Sequence, residues 1–164
     1  MSYIRNVELS DAEVLVEIYR PYVENTAISF ECETPSVDEF RSRIENISKK
    51  YPYIVMLDDD EIVGYAYAGR FKGRKAYDWC VETTIYVRED KKDGGYGKKL
   101  YLELEKRLKK QNILNMYACI AYTDNEDEHL TNNSMQFHEH MGFRLIGTFK
   151  TVSYTHLRAH ETDS

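Results

Sequence analysis

Residues 87–100 read VREDKKDGGYGKKL: an apolar alternating run gives way to a helical pattern through Gly94, Gly95 and Gly97, with Lys91, Lys92, Lys98 and Lys99 around them. Bare backbone and positive charge at a helix start suit an anion, most often a phosphate. The first-turn N–H groups point outward without intrahelical partners, and glycines let the ligand approach them. Two well-known phosphate loops do not fit. Walker A would need glycine at Lys92 and a hydroxyl residue at Lys99. The dinucleotide fingerprint would need glycine at Leu100, close to the chain start. A glycine turn with no ligand is disfavoured, because three glycines in so short a stretch carry a large entropic penalty.

Other residues could act on whatever that anion carries. Glu82 stands in the middle of the apolar, β-rich run AYDWCVETTIYV, where a charged side chain is out of place. It is a candidate proton acceptor, and the competing reading is an edge-strand carboxylate facing solvent. His138 precedes Met141-Gly142 in a helical pattern. A lone helical histidine is commonly structural, with a general acid or base as the competing reading. His138 and His140 are two apart and point to different helix faces, so no metal pair is implied and no metal is expected. Lys72 and Arg74 in the basic loop KGRK either meet a substrate carboxylate or are simply solvated.

The elements that must position these residues follow from periodicity. The 164 residues suit one domain, 42% hydrophobic and 30% charged, with a net charge of -6 that argues against nucleic acid as a partner. No run approaches the length of a membrane span and no secretory leader is visible. Cys32, Cys80 and Cys119 read as reduced core thiols of a cytoplasmic protein. The 14 tyrosines against 6 phenylalanines point to a core and subunit surface rich in amphipathic aromatics, in preference to a substrate cage.

A strand is expected over residues 3–9. A helix follows over 12–25, capped by Ser10 and Asp11, with Val14, Ile18, Tyr22 and Val23 on one face. Thr34-Pro35-Ser36 with Glu39 forms a capping box for a helix over 37–50. Strands at 51–57 and 61–71 flank an acidic hairpin turn from Asp58 to Glu61. The strand 76–87 and the glycine loop come next, then a helix over 96–111 with Leu100, Leu104 and Leu108 at helical spacing. A strand (113–122), a helix (131–141) and a last strand (143–149) complete a mixed-direction α/β sheet.

Three blocks together resemble a known family. The loop Lys92-Asp93-Gly94-Gly95-Tyr96-Gly97 sits where the Gcn5-related N-acetyltransferase (GNAT) superfamily has its Gln/Arg-x-x-Gly-x-Gly/Ala loop. The run Tyr77-Asp78-Trp79, then Val81 to Val87, is similar to the corresponding strand of phosphinothricin acetyltransferase-like proteins. The block Ser134 to Phe143 resembles their Ser-x3-His-Glu-x-Leu/Met-Gly-Phe/Tyr segment. The resemblance runs from Ile4 to about Val152. It departs where the usual Gln-Arg pair is Lys92-Asp93, where Thr131 takes the place of a frequent asparagine, and where an acidic insertion spans residues 124–128.

The resemblance implies the GNAT fold: a mixed, mostly antiparallel sheet with a splayed central strand pair and about four helices. It implies acetyl-CoA as co-substrate, its pyrophosphate on Lys92, Asp93, Gly94, Gly95, Tyr96, Gly97 and Lys98, and its thioester and pantetheine on the backbone of Ile85, Tyr86 and Val87. Glu82 and His138 become catalytic, and Phe30 and Tyr77 join Lys72 and Arg74 around the substrate. The implied reaction is acetylation of the α-amine of a small amino acid or analogue, of phosphinothricin, methionine sulfoximine or methionine sulfone type, by a homodimer. A protein N-terminus or polyamine as acceptor, or a non-catalytic acyl-CoA-binding module, remains open. The acetyltransferase domain is expected over residues 1–152. The tail 153–164, SYTHLRAHETDS, is polar, without strand alternation, and reads as a translated adapter string that is not native.

Overall fold

A computed structural model describes residues 1–24, 33–70, 80–113, 115–117 and 141 of the chain. Within them lie strands β1 (Ser2–Asn6), β2 (Tyr53–Asp58), β3 (Glu61–Arg70), β4 (Cys80–Val87) and β5 (Asn115–Tyr117), and helices α1 (Ala12–Glu24), α2 (Val37–Ser48) and α3 (Tyr96–Lys110). The sheet order is β1-β2-β3-β4-β5. The first four strands are antiparallel neighbours, and β4 pairs with β5 in parallel across the α3 crossover. The expected mixed sheet is therefore present, with the direction change at β4. The expected helix over 131–141 and the strand over 143–149 lie outside the described residues apart from Met141.

Both faces of the sheet are covered. Tyr53, Val55, Leu57 and Tyr65 pack under α1 and α2, while Ile54, Met56, Ala66, Ala68 and Val81 pack under Leu100, Tyr101, Leu104 and Leu108 of α3. This is why β2 reads as an unbroken apolar run, since side chains alternate faces and each face is buried. The α3 leucines stand as their spacing requires. Gly64 lies beneath that helix: a Cβ there would sit 3.0 Å from the Tyr86 carbonyl oxygen and 3.2 Å from Leu100 Cδ1.

Turns and caps follow local chemistry. Asp59 and Asp60 take φ of 53° and 63°, the left-handed pair that joins two strands in a type I′ turn. The Ser36 Oγ caps α2, accepting from the Glu39 N–H at 3.1 Å, while the Glu39 carboxylate pairs with Arg43 at 3.0 Å. The start of α1 differs from expectation. A 3-10 turn, Leu9–Asp11, precedes it with Glu8 in the cap position, and the Asp11 carboxylate accepts from the Glu8 N–H at 2.8 Å. Val14 is 42% exposed, and Leu15, Val16 and Tyr19 take the buried face with Ile18, Tyr22 and Val23. Among the described residues, no helix is long and apolar enough to cross a membrane.

Candidate active site

β4 is an inner strand, and Glu82 sits near its start with a described neighbour on each side: Gly69 of β3 and Tyr117 of β5. The reading of Glu82 as an edge-strand carboxylate is therefore wrong. Its side chain is half-buried and shares the α1/α2 face with Thr84 and Tyr86, since Val81 and Thr83 are buried on the other side. Gly69 leaves room beside it: no described atom lies within 4 Å of where a Gly69 Cβ would be.

Hydrogen-bond parity decides which backbone groups of β4 face where. The Ala68 N–H bonds back to Pro52 of the β2 side at 3.2 Å, and the Arg88 N–H bonds to the Val63 carbonyl at 2.8 Å. Bonded pairs alternate along an antiparallel ladder. Tyr86, Thr84 and Glu82, opposite Tyr65, Tyr67 and Gly69, thus spend their backbone groups on β3. Ile85 and Val87 turn theirs toward the β5 side, where the described pairing covers Cys80 to Glu82. At the start of that stretch the Thr83 hydroxyl donates to the Tyr117 carbonyl at 3.3 Å. At its far end the Val87 carbonyl accepts from the Tyr22 hydroxyl of α1 at 2.5 Å. Burial pushes the Tyr22 phenol far up, with the Glu89 carboxylate adding to it, so it stays a donor.

Past Val87 the chain forms a 3-10 segment, Glu89–Gly94, and Gly95 turns it into α3 with φ of 75°. No described side chain caps α3, and its first turn carries no acid but exposed Lys98 and Lys99. The first-turn N–H groups and the lysines give a positive helix end of the kind that accepts an anion. Two of the glycines also answer to the chain's own packing. Gly95 is left-handed, and a Cβ on Gly94 would run into the Tyr96 ring, with Cδ2 and Cζ both at 2.9 Å. Glycine content alone is thus weaker support for a ligand than the sequence suggests. The Tyr96 hydroxyl donates to the Asp58 carboxylate, so that phenol is used within the protein.

Anion end and carboxylate therefore lie at opposite ends of one strand, five residues or about 17 Å apart along β4. Phe30, Lys72, Arg74, Tyr77 and His138 lie outside the described residues. Lys92 and Asp93 fall in the 3-10 segment. Tyr22 and Asp58 were not singled out by sequence reasoning. Tyr22 reads as part of the apolar face of the first helix and Asp58 as part of a turn, neither of them as a site residue.

The model of the acetyltransferase (GNAT) domain matches residues 4–161. The chain belongs to the GNAT acetyltransferase family. Among its relatives, the phosphinothricin N-acetyltransferase of Streptomyces viridochromogenes is 30% identical over 153 residues, covering 93% of this chain and 80% of that protein. The L-methionine sulfoximine/L-methionine sulfone acetyltransferase of Pseudomonas paraeruginosa is 27% identical over 152 residues, covering 91% and 84%. A solved GNAT phosphinothricin acetyltransferase from Sinorhizobium meliloti, in complex with AcCoA, superposes with a TM-score of 0.84 at 32% identity, covering 96% of this chain and 83% of that one. The GNAT fold expected from the sequence is thereby established.

Proposed function

We propose that this GNAT acetyltransferase moves the acetyl group of acetyl-CoA onto the α-amine of a small amino acid or analogue, of the phosphinothricin, methionine sulfoximine or methionine sulfone type. One observation carries the reading: β4 leads through the 3-10 segment and the left-handed Gly95 into α3, which begins without a side-chain cap, and Glu82 stands on β4 five residues before its end at Val87. A ligand with a phosphate at one end and a reactive group at the other, joined by an amide-bearing arm, fits that layout. The amino-acid analogues named for the relatives support the substrate class.

In this reading the backbone of Gly94, Gly95, Tyr96, Gly97 and Lys98, with Lys92 and Asp93 before them, holds the pyrophosphate. Ile85 and Val87 bond the arm and the thioester carbonyl through their outward backbone groups, where developing negative charge on oxygen is stabilised by N–H donors. Tyr86, whose backbone serves β3, contributes packing. Acetyl-CoA supplies an activated acyl group and a thiolate leaving group. Glu82 accepts the proton of the attacking amine through a water, and His138 assists by taking a proton from the amine or giving one to the thiolate. Phe30, Lys72, Arg74 and Tyr77 surround the amino acid, the two cations facing its carboxylate. The enzyme acts in the cytoplasm as a homodimer.

Thiol release from acetyl-CoA, followed with a panel of amines, tests the proposal. Fast release with methionine sulfone or phosphinothricin is the expected result. Release only with peptides or polyamines would move the substrate class, and tight acetyl-CoA binding with no release would leave a binding module.

A further inference from the structure

Asp58 ends β2 on the outer side of the cofactor loop, an odd place for a carboxylate beside a phosphate site. Its surroundings explain it. The Tyr96 hydroxyl donates to Asp58 Oδ2, the chain's terminal ammonium lies 3.6 Å from Oδ1, and the same ammonium reaches Asp59 at 3.1 Å. The bond from Tyr96 is the main reason the Asp58 carboxyl lies below its ordinary range. The negative charge at the hairpin is thus engaged by donors on the protein. Tyr96 is also the first residue of α3, and its ring covers Gly94 so closely that a Cβ there would collide with it.

We propose that Asp58 and Tyr96 form a positioning pair, in which the β2–β3 hairpin holds the Tyr96 ring down on Gly94 and so fixes the loop in its pyrophosphate-binding shape. The inference rests on the acetyl-CoA reading above. Neither side chain needs to touch the ligand. The glycines that leave the backbone bare also leave it free to move, and a loop with many conformers pays for ordering on binding. A side chain anchored across 38 residues of sequence removes that freedom beforehand. The loop's rigidity is then set by the tip of a hairpin outside the glycine motif.

The test uses Tyr96→Phe, which keeps the ring and loses the bond, and Asp58→Asn, which keeps the shape and loses the charge. Steady-state kinetics are measured with acetyl-CoA and with S-acetylpantetheine, which carries the same thioester and no pyrophosphate. The expected result is a KM for acetyl-CoA raised roughly three- to tenfold in each variant; in Asp58→Asn, which lies outside the binding loop, kcat and the KM values for S-acetylpantetheine and for the amine stay unchanged. The double variant should be no worse than Tyr96→Phe alone, because that change already removes the one bond that Asp58→Asn weakens. Equal losses with both thioesters, additive effects, or an unchanged KM for acetyl-CoA would overturn the pair. Calorimetry of the wild-type protein with acetyl-CoA separates the two ideas. Wild-type binding with equal binding by the variants removes only the positioning pair, whereas no wild-type binding removes the acetyl-CoA reading and the pair with it.

Discussion

In the proposed reading, the Val87 end of β4 presents backbone to the ligand and the Glu82 end presents a side chain. The first end is half-buried at Val87 and runs on into exposed Gly94, Gly95, Lys98 and Lys99. The second is half-buried between two strands, with no described atom within 4 Å of where a Gly69 Cβ would be. A backbone site depends on loop shape, and what shapes it lies elsewhere: the Tyr96 ring, the hairpin carboxylate and a phenol from α1. A side-chain site depends on the strand register that aims it. The same substitution type should therefore fail differently at the two ends, one in affinity and the other in turnover.

The largest effect is expected at Gly97. A β-branched residue there blocks ligand approach in the first turn, so Gly97→Val should abolish acetyl-CoA binding in titration calorimetry, while circular dichroism stays native. Retained affinity would erase the distinction between the two ends. Glu82→Gln comes next. Turnover should fall by ~100-fold or more with the KM for acetyl-CoA little changed, since an amide keeps the shape and cannot take a proton. A near-wild-type rate would leave β4 with only its binding end. His138→Ala should give a smaller loss that varies with pH, read from rate profiles across the acid and neutral range.

Tyr22→Phe sharpens the comparison from the α1 side. The Tyr86 ring lies 5.0 Å from both Tyr19 and Tyr22, and Tyr65, Tyr67, Tyr53 and Phe40 continue the cluster, so the variant keeps its ring packing. It loses the donor to the Val87 carbonyl. The KM for both acetyl-CoA and S-acetylpantetheine should rise by roughly three- to fivefold, unlike the Asp58 variant, because in the proposed reading Val87 faces the arm they share. The smallest kinetic effect, none, is expected at the far corner. Burial raises the Asp11 carboxyl, but Arg5 at 2.8 Å and the Glu8 N–H outweigh it, so the folded group lies below its ordinary 3.8. Its contribution to stability is complete above that value and is lost as pH falls through the lower folded one. Asp11→Asn should lower Tm at neutral pH and flatten its fall in acid, leaving both KM values unchanged. Differential scanning calorimetry from pH 7 to pH 2.5 checks this.

Much of this layout was legible beforehand, for physical reasons that also mark where reading stopped. α3 was visible because Leu100, Leu104 and Leu108 repeat at helical spacing, and Glu82 because a charge breaks an apolar run. The Asp59-Asp60 turn was visible because acidic residues tolerate positive φ between strands. Val14 was misplaced because a wide buried stripe on α1 admits several phases, and the 3-10 turn before it shifts the start. The bond from Tyr96 to Asp58 and that from Tyr22 to Val87 could not be read at all. They join residues 38 and 65 positions apart, and only the folded register brings such partners together.

Gly64 has a consequence for the anion end that is mechanical. Leu100 rests over that bare position one helical turn, roughly 6 Å, from Tyr96. The helix behaves as a stiff beam on a low bearing, and a single methyl on Gly64 would act as a shim. Lifting the beam by a few tenths of an ångström beside its end moves the first-turn N–H groups by a similar distance. Hydrogen bonds to a phosphate are only a few tenths of an ångström wide in tolerance. Gly64 thus gauges the height at which the first turn of the helix would meet the proposed phosphate.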